Sequence, residues 1–152
     1  MTIKWKLVPF EKLELKELYA ALALREKVFV VEQKLVYQDA DWEDPYALHL
    51  LGKIGDDLAA YARIFLPETG MGDVRIGRII VAPAHRGEGF GEQLMARLFQ
   101  EVAQQMGEAD YTLTMSVQVH MCRFYEKYGF VESGEHYLEA GTPHVRMTYK
   151  PA

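Results

Sequence analysis

Between Arg78 and Gly91 the chain reads Arg-Ile-Ile-Val-Ala-Pro-Ala-His-Arg-Gly-Glu-Gly-Phe-Gly, and an amphipathic stretch follows at once. The β-branched apolar run suits a strand. Pro83 has no N–H to give a ladder, so the chain must leave its sheet there. Gly87, Gly89 and Gly91 let the backbone approach a ligand closely, with several N–H groups aimed at one spot. From about Glu92, apolar residues at Leu94, Met95, Leu98, Phe99, Val102 and Met106 outline a helix that Gly107 stops. Its first turn adds unpaired amides and the positive end of a dipole. This is an anion cradle of a size for phosphate or pyrophosphate. Taken alone, the same glycine turn could merely join a strand to a helix.

Other phosphate motifs fit less well. A P-loop closes on Gly-Lys-Ser/Thr, whereas Gly91 precedes Glu92-Gln93. The dinucleotide fingerprint has a different glycine spacing and sits near the start of a βαβ unit, but here three strands come first.

The flanking pattern supplies those strands. A short strand at Ile3, Trp5 and Leu7 leads to a helix over residues 13–27, which breaks up in the β-branched run 28–31. Residues 37–46 are acidic and read as a loop. Strands 47–54 and 58–66 flank the hairpin signal Gly55-Asp56-Asp57, and a third covers 74–82. Beyond the long helix come a strand at 111–119, a short helix at 120–128 ended by Gly129, and strands near 130–139 and 144–149. The order β α β β β α β α β β predicts an α/β (α+β) fold on one mixed sheet.

The 152 residues suit a single domain, 1–152, large enough to hold a core without staples. Seventeen basic and 22 acidic residues give a net charge of −5, and four of the acids (Asp39, Asp41, Glu43, Asp44) crowd one loop. That balance speaks against a nucleic-acid partner, whose binding needs phosphate neutralisation. The start lacks an apolar signal core, and the longest run free of Asp, Glu, Lys and Arg, 111–122, is too short and polar for a bilayer. A cytoplasmic protein without a membrane partner is expected. A single cysteine, Cys122, excludes an internal disulfide, and the five histidines show no ligand spacing, so no metal is expected.

Arg63 and Arg78 each interrupt an apolar strand, and a charge there needs a partner. Either they grip a substrate carboxylate, or they pair internally with Glu32, Asp39 or Asp41. The acidic run itself reads by default as a solvated loop, or as a lure for a cationic amine. Cys122 reads as a small buried hydrophobe, with an acyl-cysteine route as its reactive alternative.

A second segment, Phe124-Tyr125-Glu126-Lys127-Tyr128-Gly129-Phe130, completes a pattern. With Ile79 to Val81, Pro83, Arg86, Gly89 and Gly91, it resembles the GNAT superfamily of acyl-CoA N-acyltransferases, and the order of elements matches that fold over nearly the whole chain. The stretch Leu24-Arg-Glu-Lys-Val-Phe-Val-Val-Glu-Gln33, with Tyr37-Gln-Asp39, Asp41 and Gly141-Thr-Pro-His144, is similar to the ElaA-type branch.

The resemblance implies acetyl-CoA as acyl donor and a small-molecule or peptide amine as acceptor. It implies that Arg86, Gly87, Glu88, Gly89, Phe90 and Gly91 hold the pyrophosphate, and that Ile79, Ile80 and Val81 pair with the pantetheine arm. Gln118, Phe124 and Tyr125 would flank the arm and thioester, with the Val81 amide at the oxyanion and Tyr125 as general acid. A phenol near pKa ~10 is a modest donor to a thiol near ~8.5, so position must supply much of the effect. Phe29, Glu32, Arg63, Arg78 and His144 are candidates for the acceptor pocket.

Three departures from the family pattern stand out. Gln118 replaces the usual Asn, Met121 replaces the usual Ala, and Arg75, Ile76 and Arg78 stand where relatives carry a strand carboxylate. The general base is therefore open among Glu32, His49, His120 and His144. Two other readings stay open: a non-catalytic acyl-CoA sensor on the same scaffold, and a phosphate binder unrelated to coenzyme A. Related domains also pair through strand edges, so a homodimer is one expected assembly.

Overall fold

Antiparallel pairs build the first half of the sheet in the computed structural model, which describes residues 2–152. Strand β1 (Lys4–Pro9) lies antiparallel to β2 (Leu48–Ile54), and β2 turns through Gly55-Asp56 into β3 (Asp57–Phe65). Strand β4 (Gly72–Val81) then runs antiparallel to β3. After a helical crossover, β5 (Tyr111–Gln118) joins β4 in parallel, and the hairpin β6 (Val131–Glu139) and β7 (Thr142–Tyr149) closes the sheet. The spatial order is β1-β2-β3-β4-β5-β7-β6, a mixed sheet of seven strands, as the sequence pattern predicts.

Alternation along the strands sends side chains to two layers. Leu51, Tyr61 and Ile80 meet helix α1 (Leu15–Arg25) through Ala21 and Leu24. On the opposite face, Ala62, Ile64, Met115, Val117, Val145 and Met147 pack with α2 (Phe90–Met106) and α3 (Cys122–Glu126). No helix among the described residues is long and apolar enough to cross a membrane.

Two local features differ from the sequence reading. Helix α1 does not break up in its β-branched run, because the chain continues in wider π-helical turns over Glu26–Glu32. This winding buries Val28 against the α1 layer and brings Phe29 beside it. The short helix is briefer than expected, a 3₁₀ turn (Val119–Met121) followed by α3.

Strand β4 carries the decisive irregularity. Its register against β3 slips between Tyr61↔Ile80 and Arg63↔Gly77, and Arg78 sits at φ +49° within the bulge. A bulge bends and twists its strand. Parallel pairing of β4 with β5 runs only from Gly72↔Tyr111 to Arg75↔Thr114, whereas β5 stays with β7 as far as Gln118↔His144. Beyond Arg75 the two strands part, and the sheet opens.

Candidate active site

The opening is a cleft of about 950 Å³. Every residue singled out above for the coenzyme or the acceptor lines it except Glu88, which the glycine loop carries outside the lining.

One wall is the backbone of β4. The Ala82 amide donates to the Ala59 carbonyl at 2.8 Å. Antiparallel ladders alternate, so the N–H and C=O of Val81 point away from β3, into the cleft. Arg86 Nε reaches that carbonyl at 3.2 Å. At the end of this wall, Gly87 and Gly89 adopt φ +80° and +83°. A Cβ built on either would meet nothing within 4 Å, and both glycines line the cleft. Gly89 caps α2, whose first amides have no helical partner and would offer an anion a favourable dipole.

The other wall brings Tyr125. Its ring is buried, edge-on to Phe124 (5.1 Å between centroids) and to Phe130 (6.2 Å). Burial, with Tyr128 as a lesser contributor, pushes its phenol up to about 12. Cys122 is buried outside the cleft lining, and desolvation raises its thiol pKa, which disfavours an acyl-cysteine.

Arg63 and Arg78 have partners inside the chain. Arg63 takes Asp41 in a fork, 2.8 Å at each contact, and reaches Asp44 Oδ1 at 2.9 Å. Arg78 Nε donates to Asp39 Oδ1 at 2.8 Å. A third arginine, Arg25, donates to Asp39 Oδ2 (2.8 Å) and Asp44 Oδ1 (2.7 Å), and Tyr37 adds its hydroxyl to Asp39. The acidic run is thus no solvated loop: Asp39 and Asp44 are buried counter-ions. Low dielectric makes each charge depend on its partners. Arg25 was not expected here, although its place on the Ala21–Leu24–Val28 stripe, which runs from α1 into the π-helical turns, is the signal that marks it.

The expected base candidates separate clearly. His49 Nε2 must donate to the Asp44 carbonyl (3.0 Å), which leaves Nδ1 to accept from Tyr61 (2.6 Å). It is buried outside the cleft lining, and burial lowers its pKa. Glu32 pairs with Arg86 rather than with Arg63 or Arg78, in two contacts of 2.8 Å, and that bond holds its carboxyl below the usual range. Its neighbour Gln33 accepts from Gln118 at 2.8 Å, a second tie across the cleft. His120 is exposed at the rim, and His144 is buried in the lining. Among the described residues no cluster of three or more His, Cys, Asp or Glu side chains is arranged to hold a metal.

Residues 19–151 match the Acetyltransferase (GNAT) domain family. Protein ElaA of Escherichia coli K12 is 40% identical over 147 residues, 95% of either chain. The crystal structure of Escherichia coli ElaA superposes with a TM-score of 0.88 at 38% identity, over 98% of this chain and all of that one. An acyl-CoA N-acyltransferase from Pseudomonas aeruginosa gives a TM-score of 0.88 at 39% identity, over 97% and 99% of the two chains.

Proposed function

The chain belongs to the GNAT acetyltransferase family, in the branch that holds ElaA, and from that membership we propose that it transfers an acetyl group from acetyl-CoA to a primary amine. One observation carries the proposal: the parting of β4 from β5 turns the Val81 backbone into a cleft with the glycine loop at one end and Tyr125 in its wall.

Each part has a role in the chemistry. Arg86, the glycine loop and the first α2 amides take the pyrophosphate, because converging N–H donors suit a compact anion. Ile79 and Val81 pair with the pantetheine amides as a strand pairs with a sheet edge, and Gln118 and Phe124 bound the arm. The Val81 amide then faces the thioester carbonyl, where negative charge develops as the amine attacks. Tyr125 gives its proton to the sulfur as the C–S bond breaks. With its phenol near 12, the residue is fully protonated at working pH. Desolvation that weakens this acid also penalises the thiolate beside it, which narrows the gap between them. The acceptor comes in from the α1 side past Phe29 and Arg78. Arg63 lies deeper, held by Asp41 and Asp44, and shapes the wall.

A screen of amino acids, polyamines, aralkylamines and peptide N-termini for thiol release from acetyl-CoA tests this reading. Acetylation of at least one amine class is expected. Tight acetyl-CoA binding with no turnover across the panel would instead support an acyl-CoA sensor on the same fold.

A further inference from the structure

Three strands converge on the α1 side of the cleft, and each places a polar group there that the roles above leave unused. On β7, His144 lies opposite Gln118 of β5 and Tyr137 of β6. Met115, Val117, Val145 and Met147 face the α2–α3 layer that holds Tyr125, so alternation puts Ser116, Gln118 and His144 on the opposite face. The cleft passes between, with Tyr125 and His144 both in its lining.

The ring of His144 is fixed. Nδ1 lies 2.7 Å from the Thr142 carbonyl oxygen, which can only accept, so Nδ1 carries the hydrogen and Nε2 is the proton acceptor. Glu139 Oε2 stands 3.4 Å from Nε2 and offers an anionic neighbour to any proton taken there. Glu139 is itself placed: its Oε1 accepts from Ser116 Oγ at 3.3 Å, and that hydroxyl shares a 2.5 Å bond with Tyr137. The Tyr137 ring lies nearly parallel to His144, at 22° and 6.3 Å. Tautomer and orientation set by neighbours are what a proton-transfer histidine requires.

We propose that His144 is the general base of the transfer, with Glu139 as its positioning residue. The assignment rests on the acetyltransferase reading above. An alkylammonium acceptor gives one N–H proton to Nε2, and the freed nitrogen pair attacks the thioester carbon. The C–N bond forms and the C–S bond breaks, with the sulfur taking the Tyr125 proton. The second nitrogen proton passes through water to restore Tyr125, and His144 releases its own. One ammonium and one thioester thus become one amide, one thiol and one proton. Base and acid act from opposite faces of the sheet, so neither competes for the other's partner.

The test compares wild type with His144→Gln and Glu139→Gln, using two probe acceptors at pH 7.5. These are 2-phenylethylamine, which is protonated there, and hydroxylamine, which is neutral. For His144→Gln, kcat with phenylethylamine should fall about 100-fold or more, with KM and acetyl-CoA Kd within twofold. Hydroxylamine transfer should fall less than tenfold, and raising the pH to 9.5 should recover much of the phenylethylamine rate. Glu139→Gln should give a smaller loss with the same discrimination. Equal losses with both probes, no loss, or a wild type that binds acetyl-CoA and acetylates neither would overturn the assignment. Absence of acetyl-CoA binding in wild type would instead remove the reading beneath it.

Discussion

Glu32 and Arg86 stand 54 residues apart in sequence and meet in a forked ion pair, 2.8 Å at each contact, that ties the π-helical turns to the glycine loop. Both side chains are nearly half exposed, so the pair adds at most about 1 kcal/mol to stability. Its interest lies in what it occupies, because the same guanidinium fork is the one proposed to meet pyrophosphate. Glu32→Gln should therefore tighten acetyl-CoA binding, by up to about fivefold, with little change in Tm. Calorimetric titration reads this directly. Unchanged or weaker binding would show that Arg86 does not contact the phosphates.

Tyr125→Phe keeps the edge-on packing against Phe124 and Phe130 and removes only the phenolic hydroxyl, the proposed proton donor. Turnover should fall by about 100-fold while acetyl-CoA affinity stays within twofold. Steady-state thiol release beside a binding titration separates the two effects. Unchanged turnover would remove Tyr125 as the acid.

Gly89→Val acts through backbone and ligand together. At φ +83° a β-branched residue costs about 1–3 kcal/mol of strain, and its side chain would take up open space at the cleft lining. Coenzyme affinity should drop about 100-fold, with the fold retained by circular dichroism. Near-normal affinity would make the loop structural only.

Acid should unfold the protein over a definable range. Burial opposes ionisation of Glu17 and Asp41. The Glu14 amide with Lys53 and Lys6 outweighs it for Glu17, as Arg63 and the Glu43 amide do for Asp41, and both carboxyls sit at about 2. A carboxyl held below its unfolded value, near ~4, stabilises the fold above that pH and loses its contribution as the pH falls towards the folded value. The urea midpoint should therefore fall steeply between about pH 4 and pH 2. Glu17→Gln should be less stable at pH 7 and show a shallower fall. A midpoint flat across that range would contradict the ion pairs.

How legible each part was depends on how local it is. Val81, Gly89 and α2 follow one another along the chain, so a strand stop, a glycine turn and a helix start could be read without knowing the neighbours. Tyr125 was marked instead by the resemblance that the segment from Phe124 to Phe130 carries, and it lies in the cleft lining. The buried ion network was not: Arg25 finds Asp39 and Asp44 at 14 and 19 residues' distance, and charge alone made those acids look solvated. Only the place of Arg25 on an apolar stripe marks it for burial. His144 and Glu139 meet across the β6–β7 hairpin, whose register shifts between Ser133 and Tyr137 with Gly134 at φ +90°. The pair itself lies on the turn side of that slip, in the unbroken register from Tyr137↔His144 to Glu139↔Thr142, but spacing alone does not say which side chains around a turn will meet, so the sequence offered His144 as one base among four. The turn at Arg78 was equally hidden, since nothing in Ile-Gly-Arg-Ile-Ile requires the arginine, rather than the glycine before it, to take positive φ.

The central claim is that the parted strands and the glycine loop together form an acetyl-CoA site, and calorimetric titration of the wild-type protein with acetyl-CoA, beside dephospho-CoA and ADP, tests it most directly. Micromolar binding of acetyl-CoA is predicted, with dephospho-CoA retaining binding through its pantetheine arm and ADP, which lacks that arm, at least 100-fold weaker than acetyl-CoA. Equal affinity for ADP and acetyl-CoA would mean that the Val81 wall takes no pantetheine, and no binding of acetyl-CoA would contradict the account.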